Sequence, residues 1–265
     1  MSRIFAITNQ KGGVGKTTTC VNLAASLAVT KRRVLLIDLD PQGNATMGSG
    51  IDKYEVERTV CDVLLGEATI AQSRLDTELP GLSVLPSNSD LTAAEVALMN
   101  SEGRERRLRD ALAEVSDDYD YILIDCPPSL NMLTLNALTA AQGVIIPMQC
   151  EYYALEGLSA LVETIEQIRA SVNPGLQIEG LLRTMFDPRN KLANDVSNQL
   201  MTHFGDRVYR TLVPRNVRLA EAPSHGMPVI VYDKASRGAQ AYLALAGEIL
   251  RREQQQQPVA EAAGG

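Results

Sequence analysis

The chain has 265 residues, enough for one large α/β domain with a sizeable buried core. Apolar residues make up 45% with no Trp and only 3 Phe, so the core must be aliphatic, as in a sheet covered by helices on both faces. The formal net charge of −7 argues against a globally basic nucleic-acid binder, and no run approaches the ~18 uncharged apolar residues of a membrane span.

Residues 4–8 (Ile4-Phe5-Ala6-Ile7-Thr8) form the first predicted strand. The run is short and leads straight into a glycine loop, unlike a signal peptide. The loop is Lys11-Gly12-Gly13-Val14-Gly15-Lys16-Thr17-Thr18, and a helix is predicted behind it over 17–28. Strand, glycine loop and helix together make a phosphate cradle. Glycines let backbone N–H groups turn inward, and the helix start adds a partial positive charge. Lys16 can reach the β- and γ-phosphates, and the Thr17 hydroxyl can ligate Mg²⁺, so the bound species is expected to be Mg–ATP. The general pattern wants Gly at position 10, where this chain has Gln10, and it carries a second lysine, Lys11. That resembles the deviant Walker A motif, K-G-G-x-G-K-[ST]. The resemblance implies that Lys11 reaches across a dimer interface to the partner's phosphates, as an arginine finger does.

The second strand, 34–38, ends on Asp38, and Leu39-Asp40-Pro41-Gln42-Gly43-Asn44 follows. Carboxylates at the C-terminal end of a strand face the crevice where α/β sheets bind ligands. Asp40 is expected to position or activate an attacking water, and Asp38 to help organise the Mg²⁺ shell. A strand at 82–85 and a helix at 104–116 come next. The strand at 121–125 has four apolar residues and then Asp125, a Walker B pattern in which Asp125 holds Mg²⁺ through water. Cys126-Pro127-Pro128-Ser129 then forces the chain out of the sheet into a candidate switch that senses the γ-phosphate.

Further strands are predicted at 143–147, 178–184 and 208–211, with helices at 155–171, 193–204 and 239–252. Tyr152-Tyr153 is expected to pack at a helix start. Pro214 and Asn216 fall on the crevice side after a strand and are candidate adenine contacts. His203 and His225 have no metal-ligand spacing and read as structural. Strands apolar on successive residues, such as Val34-Leu35-Leu36-Ile37, are buried on both faces. The βα alternation therefore predicts a single doubly wound, mostly parallel sheet with helices on both faces, a P-loop NTPase over residues 1–252. Residues 253–265, rich in Gln, Ala and Gly, are expected to form a disordered tail. Cys20, Cys61, Cys126 and Cys150 fit neither zinc nor a disulfide framework, and read as reduced cysteines of a cytosolic protein.

Charge is uneven along the chain. Residues 177–238 hold 9 Lys+Arg and 6 Asp+Glu, a net of +3, whereas the remainder holds 16 and 26, a net of −10. A local basic face on an acidic protein is the expectation.

Five blocks, in order, resemble the ParA/Soj partition ATPases of the wider ParA/MinD group. They are Thr8 to Thr18, Asp38 to Thr46, Asp125 to Ser129, Gln149 to Gly157 and Pro214 to Gly226, within a similarity running from about Ser2 to Arg251. The resemblance implies an ATP-driven switch. ATP binding gives a sandwich homodimer, the dimer binds double-stranded DNA without sequence preference, and a ParB-type centromere-binding partner stimulates slow hydrolysis and releases it. Arg189 and Arg218 match positions where similar proteins carry DNA-contacting arginines, with Arg183, Lys191, Arg215 and Arg237 as further candidates. Few residues precede the first strand, so no N-terminal helix-turn-helix is expected. The implied location is cytoplasmic and nucleoid-associated. The alternative is a MinD-like membrane-associated regulator of cell division, which needs a basic amphipathic C-terminal helix that residues 251–257 do not supply. An iron–sulfur or metabolic enzyme on the same fold would need cluster cysteines, and Cys126 and Cys150 match no such pattern.

Overall fold

The computed structural model describes residues 2–99 and 101–256. From the N-terminus the elements are β1 (Arg3–Ile7), α1 (Lys16–Val29), β2 (Val34–Asp38), α2 (Asn44–Gly48), α3 (Val60–Leu65), α4 (Ile70–Ser73), β3 (Leu75–Asp76) and β4 (Leu82–Leu85). Next come α5 (Leu91–Leu98), α6 (Arg107–Ala113), β5 (Tyr121–Asp125), α7 (Met132–Ala140), β6 (Gly143–Gln149) and α8 (Ala154–Ser171). The chain closes with β7 (Gln177–Phe186), α9 (Lys191–Phe204), β8 (Val208–Pro214), α10 (Val217–Glu221), α11 (Val229–Tyr232) and α12 (Arg237–Gln256).

The strands form one eight-stranded sheet in the order β3-β4-β2-β5-β1-β6-β7-β8. Every neighbouring pair is parallel except β3 with β4. This is the expected doubly wound α/β architecture. Side chains alternate between two apolar cores, one on each face. Leu35, Ile37, Ile122, Ile124, Val144 and Ile146 pack under α3 and α5–α9. Phe5, Ile7, Val34, Leu36, Leu123 and Ile145 pack under α1 and α12. A strand buried on both faces has no polar side to show, which is why these runs read as continuous apolar stretches.

Local differences from expectation have physical causes. α7 lies where no helix was anticipated; Met132–Ala140 is buried on most of its circumference, so its sequence has little polar periodicity. It is nevertheless capped, because Asn131 accepts from the Thr134 N–H at 3.1 Å. The helix expected at 104–116 is reduced to 107–113. β8 extends to Pro214 because β7–β8 pairing shifts register, placing Leu181 opposite Val208 but Arg183 opposite Leu212. The N–H groups of Arg210 and Thr211, freed by that shift, donate to the two oxygens of Glu248 at 2.8 and 2.9 Å. Residues 253–256, expected to begin a tail, continue α12; Glu253 accepts from the Tyr121 hydroxyl and sits 3.5 Å from Arg3. The rest of the expected tail lies outside the described residues.

Candidate nucleotide site

The glycine loop leaves β1, which is flanked by β5 and β6, so it starts at the point where strand order reverses. Gly13 and Gly15 adopt φ of 74° and 87°, a left-handed backbone that only glycine holds without strain. Gly15 caps α1 with no side-chain cap, and the first turn of α1 holds no acidic residue. Its leading N–H groups are therefore left for an anion. The loop is pinned from behind by β7: the buried Thr184 hydroxyl donates to the Val14 carbonyl at 2.7 Å. Asn9 spans from the other side, donating to the Pro147 carbonyl at 2.8 Å and accepting from the Lys11 N–H at 3.0 Å.

The two lysines behave differently. Lys16 is buried, and its ammonium donates to the Lys11 carbonyl at 3.2 Å, folding back across its own loop. Burial pushes its pKa down, while Asp125, Cys126 and Asp40 act in the opposite direction. Lys11 is on the surface, with its ammonium 2.6 Å from a Glu151 oxygen. Gly12 and Gly13 are exposed, Val14 is buried, and Thr17 and Thr18 are half-buried.

Asp38 and Asp125 are register partners at the ends of β2 and β5, and both are fully buried. Their surroundings differ. Asp38 Oδ2 accepts from the Thr46 N–H and hydroxyl, both at 2.8 Å, and Oδ1 accepts from the Asp40 N–H at 3.1 Å. Burial raises its pKa to about 6 against those bonds. Neither Asp125 oxygen has a hydrogen bond of normal geometry. Burial drives its pKa well up, and the neighbouring Asp38 adds to the rise, while the nearby Thr17 hydroxyl and Lys16 oppose it. A crowded, orphaned buried carboxylate beside a hydroxyl fits hydrated Mg²⁺, which would satisfy the oxygens and relieve the charge. Among the described residues no group of three or more His, Cys, Asp or Glu can hold a metal ion. Mg²⁺ commonly keeps several waters and takes only one or two carboxylates plus phosphate oxygens, which is compatible with so sparse a donor set.

Asp40 sits beside this pair in a tightly set turn. Its N–H is held by Asp38, its carbonyl accepts from Ser87 at 2.9 Å, and Oδ1 accepts from the Gln42 N–H at 3.0 Å. Gly43 closes the turn at φ 61°, where a Cβ would come within 2.6 Å of the Ser87 carbonyl.

Pro214 ends β8 and Asn216 caps α10, accepting from the Leu219 N–H at 3.3 Å. Arg189 is 89% exposed and held by Asp187 at 2.8 Å. Arg218 is bracketed by Glu221 at 2.7 Å and Asp233 at 3.3 Å. Both follow strands at the loop's end of the sheet, and Lys191, Arg215 and Arg237 are exposed. Arg183 does not join that face; it is buried, donating to the Ser197 hydroxyl at 2.8 Å and the Tyr209 carbonyl at 2.7 Å. The Tyr152-Tyr153 expectation also fails: the rings are 75% and 68% exposed and meet edge to face. Residues that sequence reading gave no role are Thr184, Glu151 and Ser87. The available signals were that Glu151 falls within the Gln149–Gly157 block and that Thr184 ends a predicted strand at the crevice pole.

A strand-order switch, a glycine loop opening an uncapped helix and paired carboxylates on adjacent strand ends define a P-loop nucleotide-binding protein. The AAA domain family matches residues 2–178. The sporulation initiation inhibitor protein Soj of Bacillus subtilis is 54% identical over 249 residues, 94% of this chain and 98% of that protein. The chromosome partitioning protein ParA of Caulobacter vibrioides is 52% identical over 257 residues, 96% of each. A solved structure from Mycobacterium smegmatis, described as cobyrinic acid a,c-diamide synthase with bound ADP and magnesium, matches with a TM-score of 0.85 at 38% identity over 97% of each chain. The chain belongs to the AAA domain family and, within it, to the ParA/Soj partitioning ATPases.

Proposed function

We propose that the chain is a Mg–ATP-driven switch for partitioning chromosome or plasmid DNA. The observation that carries this reading is the division of labour between the two loop lysines. Lys16 is folded onto its own phosphate cradle, whereas Lys11 stands on the surface, held only by an exposed pair with Glu151, from which a second molecule's phosphates could draw it.

In this reading the Gly12–Thr18 backbone and the start of α1 hold the phosphates, and Lys16 neutralises them. Thr17 and Asp125 would hold Mg²⁺, which would supply positive charge to neutralise the phosphates. Asp38, whose oxygens are already committed, acts on the metal shell through the Asp40 turn. Asp40 orients the attacking water; its Oδ2 has no hydrogen-bond partner among the described residues. Lys11 stabilises charge on the partner's transferred phosphoryl group, so hydrolysis requires the sandwich homodimer. Pro214 and Asn216 lie beside the adenine. Arg189 and Arg218 contact DNA phosphates, which carry no base code. Both guanidinium groups are exposed and water screens their pairs with Asp187, Glu221 and Asp233, so phosphates can displace those carboxylates. A ParB-type centromere-binding protein triggers hydrolysis, and the working location is the nucleoid in the cytoplasm.

A MinD-like membrane role would need an apolar helix face free to bind lipid. The described part of α12 instead buries Ala239, Tyr242, Leu245, Ala246 and Ile249 against the sheet side of α1. Among the described residues no helix is long and apolar enough to cross a membrane.

The test is DNA retention with ATP, with ADP and without nucleotide. Retention with ATP alone is expected. Equal retention in all three states would remove the switch, and retention on anionic vesicles in place of DNA would favour the membrane reading.

A further inference from the structure

The basic residues of the 177–238 stretch do not all gather at the nucleotide pole. Arg207 lies just before β8 and Arg210 in its first half, toward the opposite end of the sheet. There a cavity of about 1120 Å³ opens between α12 and the beginnings of β1, β7 and β8. Ligand pockets usually occupy ~300–1,000 Å³, so the space is ample for a small molecule.

Its walls are more polar than apolar and are lined mainly by charged and amide side chains, with Ile178 and Ala244 among the apolar contributors. That lining favours a polar ligand. The guanidinium groups of Arg207, Arg210 and Arg251 line it, and among the described residues none of the three has an ion-pair partner. The carboxylates nearby are mostly occupied. Glu179 pairs with Arg3 at 3.3 Å, and burial pushes it toward its neutral form. Glu248 pairs with Arg252 at 2.8 Å and accepts from two backbone N–H groups. Asp206 alone stands against the three arginines. A local excess of positive charge on a chain of net charge −7 is a specific feature rather than a general one.

We propose that this cavity is a second anion site, taking a small oligophosphate such as three linked phosphates, separate from the glycine loop. Guanidinium groups present a planar fork that matches phosphate oxygens two at a time, and they stay charged at every working pH. Three such forks around one cavity suit a ligand with several linked anionic groups better than a single carboxylate. The site does not depend on the partition reading, because it shares no residue with the nucleotide or DNA-binding residues assigned above.

The experiment is calorimetric titration of the full chain with sodium tripolyphosphate in the absence of Mg²⁺. One saturable site is expected to survive Lys16→Ala, which disables the loop. The double variant Arg207→Glu/Arg251→Glu, at two exposed positions, is expected to weaken that site at least about tenfold, as loss of charged hydrogen bonds implies. Arg207→Lys/Arg251→Lys should recover part of it. Independently of whether the reversal variant folds, hydrogen exchange of Lys16→Ala should slow at residues 206–211 and 248–252 when tripolyphosphate is added. Binding that vanishes in Lys16→Ala, or no exchange change in those two segments, would overturn the proposal. So would loss of duplex DNA retention in the arginine double variant with tripolyphosphate binding unchanged, which would hand the surface to nucleic acid.

Discussion

Glu248→Gln is the substitution whose effect can be worked furthest from the geometry. The side chain is 7% exposed and accepts four bonds: the Arg210 N–H at 2.8 Å, the Thr211 N–H at 2.9 Å, the Thr211 hydroxyl at 2.8 Å and Arg252 at 2.8 Å. Two of these donors are backbone groups that the β7–β8 register shift leaves without a strand partner. Glutamine is nearly isosteric, but only one of its two terminal atoms accepts. At least one buried N–H then faces an amide NH₂, and the Arg252 pair loses its charge. An unsatisfied buried donor costs about 1–3 kcal/mol and a bond to a charged group contributes about 1.5–3, so a loss of roughly 2–4 kcal/mol is expected. At about 2–4 °C per kcal/mol for a chain of this size, the melting temperature should fall by roughly 5–15 °C. The pH dependence gives a second readout. Burial raises the Glu248 pKa, but the bonds from Arg210, Thr211 and Arg252 outweigh it and hold it below its ordinary 4.5. A depressed folded pKa means that this stabilisation is complete above about 4.5 and lost as pH falls through the folded value. Urea unfolding of the nucleotide-free protein should therefore show a gap between wild type and variant that is widest near neutrality and narrows in acid. A gap under about 0.5 kcal/mol at pH 7, within the range of an ordinary surface substitution, would refute the reasoning.

Other substitutions test the nucleotide site. Thr184→Val keeps the shape behind the loop but deletes the bond to the Val14 carbonyl; nucleotide affinity should drop about threefold to tenfold, read as the Kd of a fluorescent ATP analogue, with far-ultraviolet circular dichroism unchanged. Lys16→Ala should abolish dimerisation and ATP-dependent DNA retention together; an intact ATP-dependent shift in that variant would separate the lysine from the switch. Arg218→Glu should spare ATP binding while weakening DNA retention and reducing its salt slope, and identical retention across salt would place DNA binding elsewhere. Turnover without partner or DNA should be slow, and a basal rate of tens per second would be incompatible with a switch that persists until triggered.

The parts of the fold legible in the sequence are those whose cause is local. Val34-Leu35-Leu36-Ile37 and Tyr121-Ile122-Leu123-Ile124 announce buried parallel strands because neither face is polar. The glycines of the loop announce a left-handed backbone at Gly13 and Gly15 because no other residue adopts it cheaply. What escaped depends on distant partners. Arg183 looked like any other basic residue until β7 carried it under Ser197 and the Tyr209 carbonyl. Asp38 and Asp125 end similar strands, and only the return of Thr46 to the Asp38 carboxylate separates a saturated acid from an orphaned one. Thr184 meets Val14 across 170 positions of sequence, a pairing that no local pattern encodes. Tyr152 and Tyr153 follow an apolar strand at a helix start and were expected to pack there, yet both stand on an open, exposed face.

That open face bears on how the two lysines are controlled. The Lys11–Glu151 pair is short, but its side chains are 42% and 49% exposed, so water and salt screen it and its net worth is ~1 kcal/mol or less. It can orient Lys11 without holding it. In the sandwich dimer proposed above, a partner's triphosphate would set several negative charges against the single one of Glu151, and an interface that excludes water would turn the exchange toward the partner. Lys16 has no such choice: it is buried at the start of α1, close to Asp125 and Asp40, and its donor is already aimed at its own loop. On that proposal the first lysine answers to assembly and the second to occupancy. Only Gly12 to Gly15 lie between them, so the proposed switch places both conditions for hydrolysis on a single glycine loop.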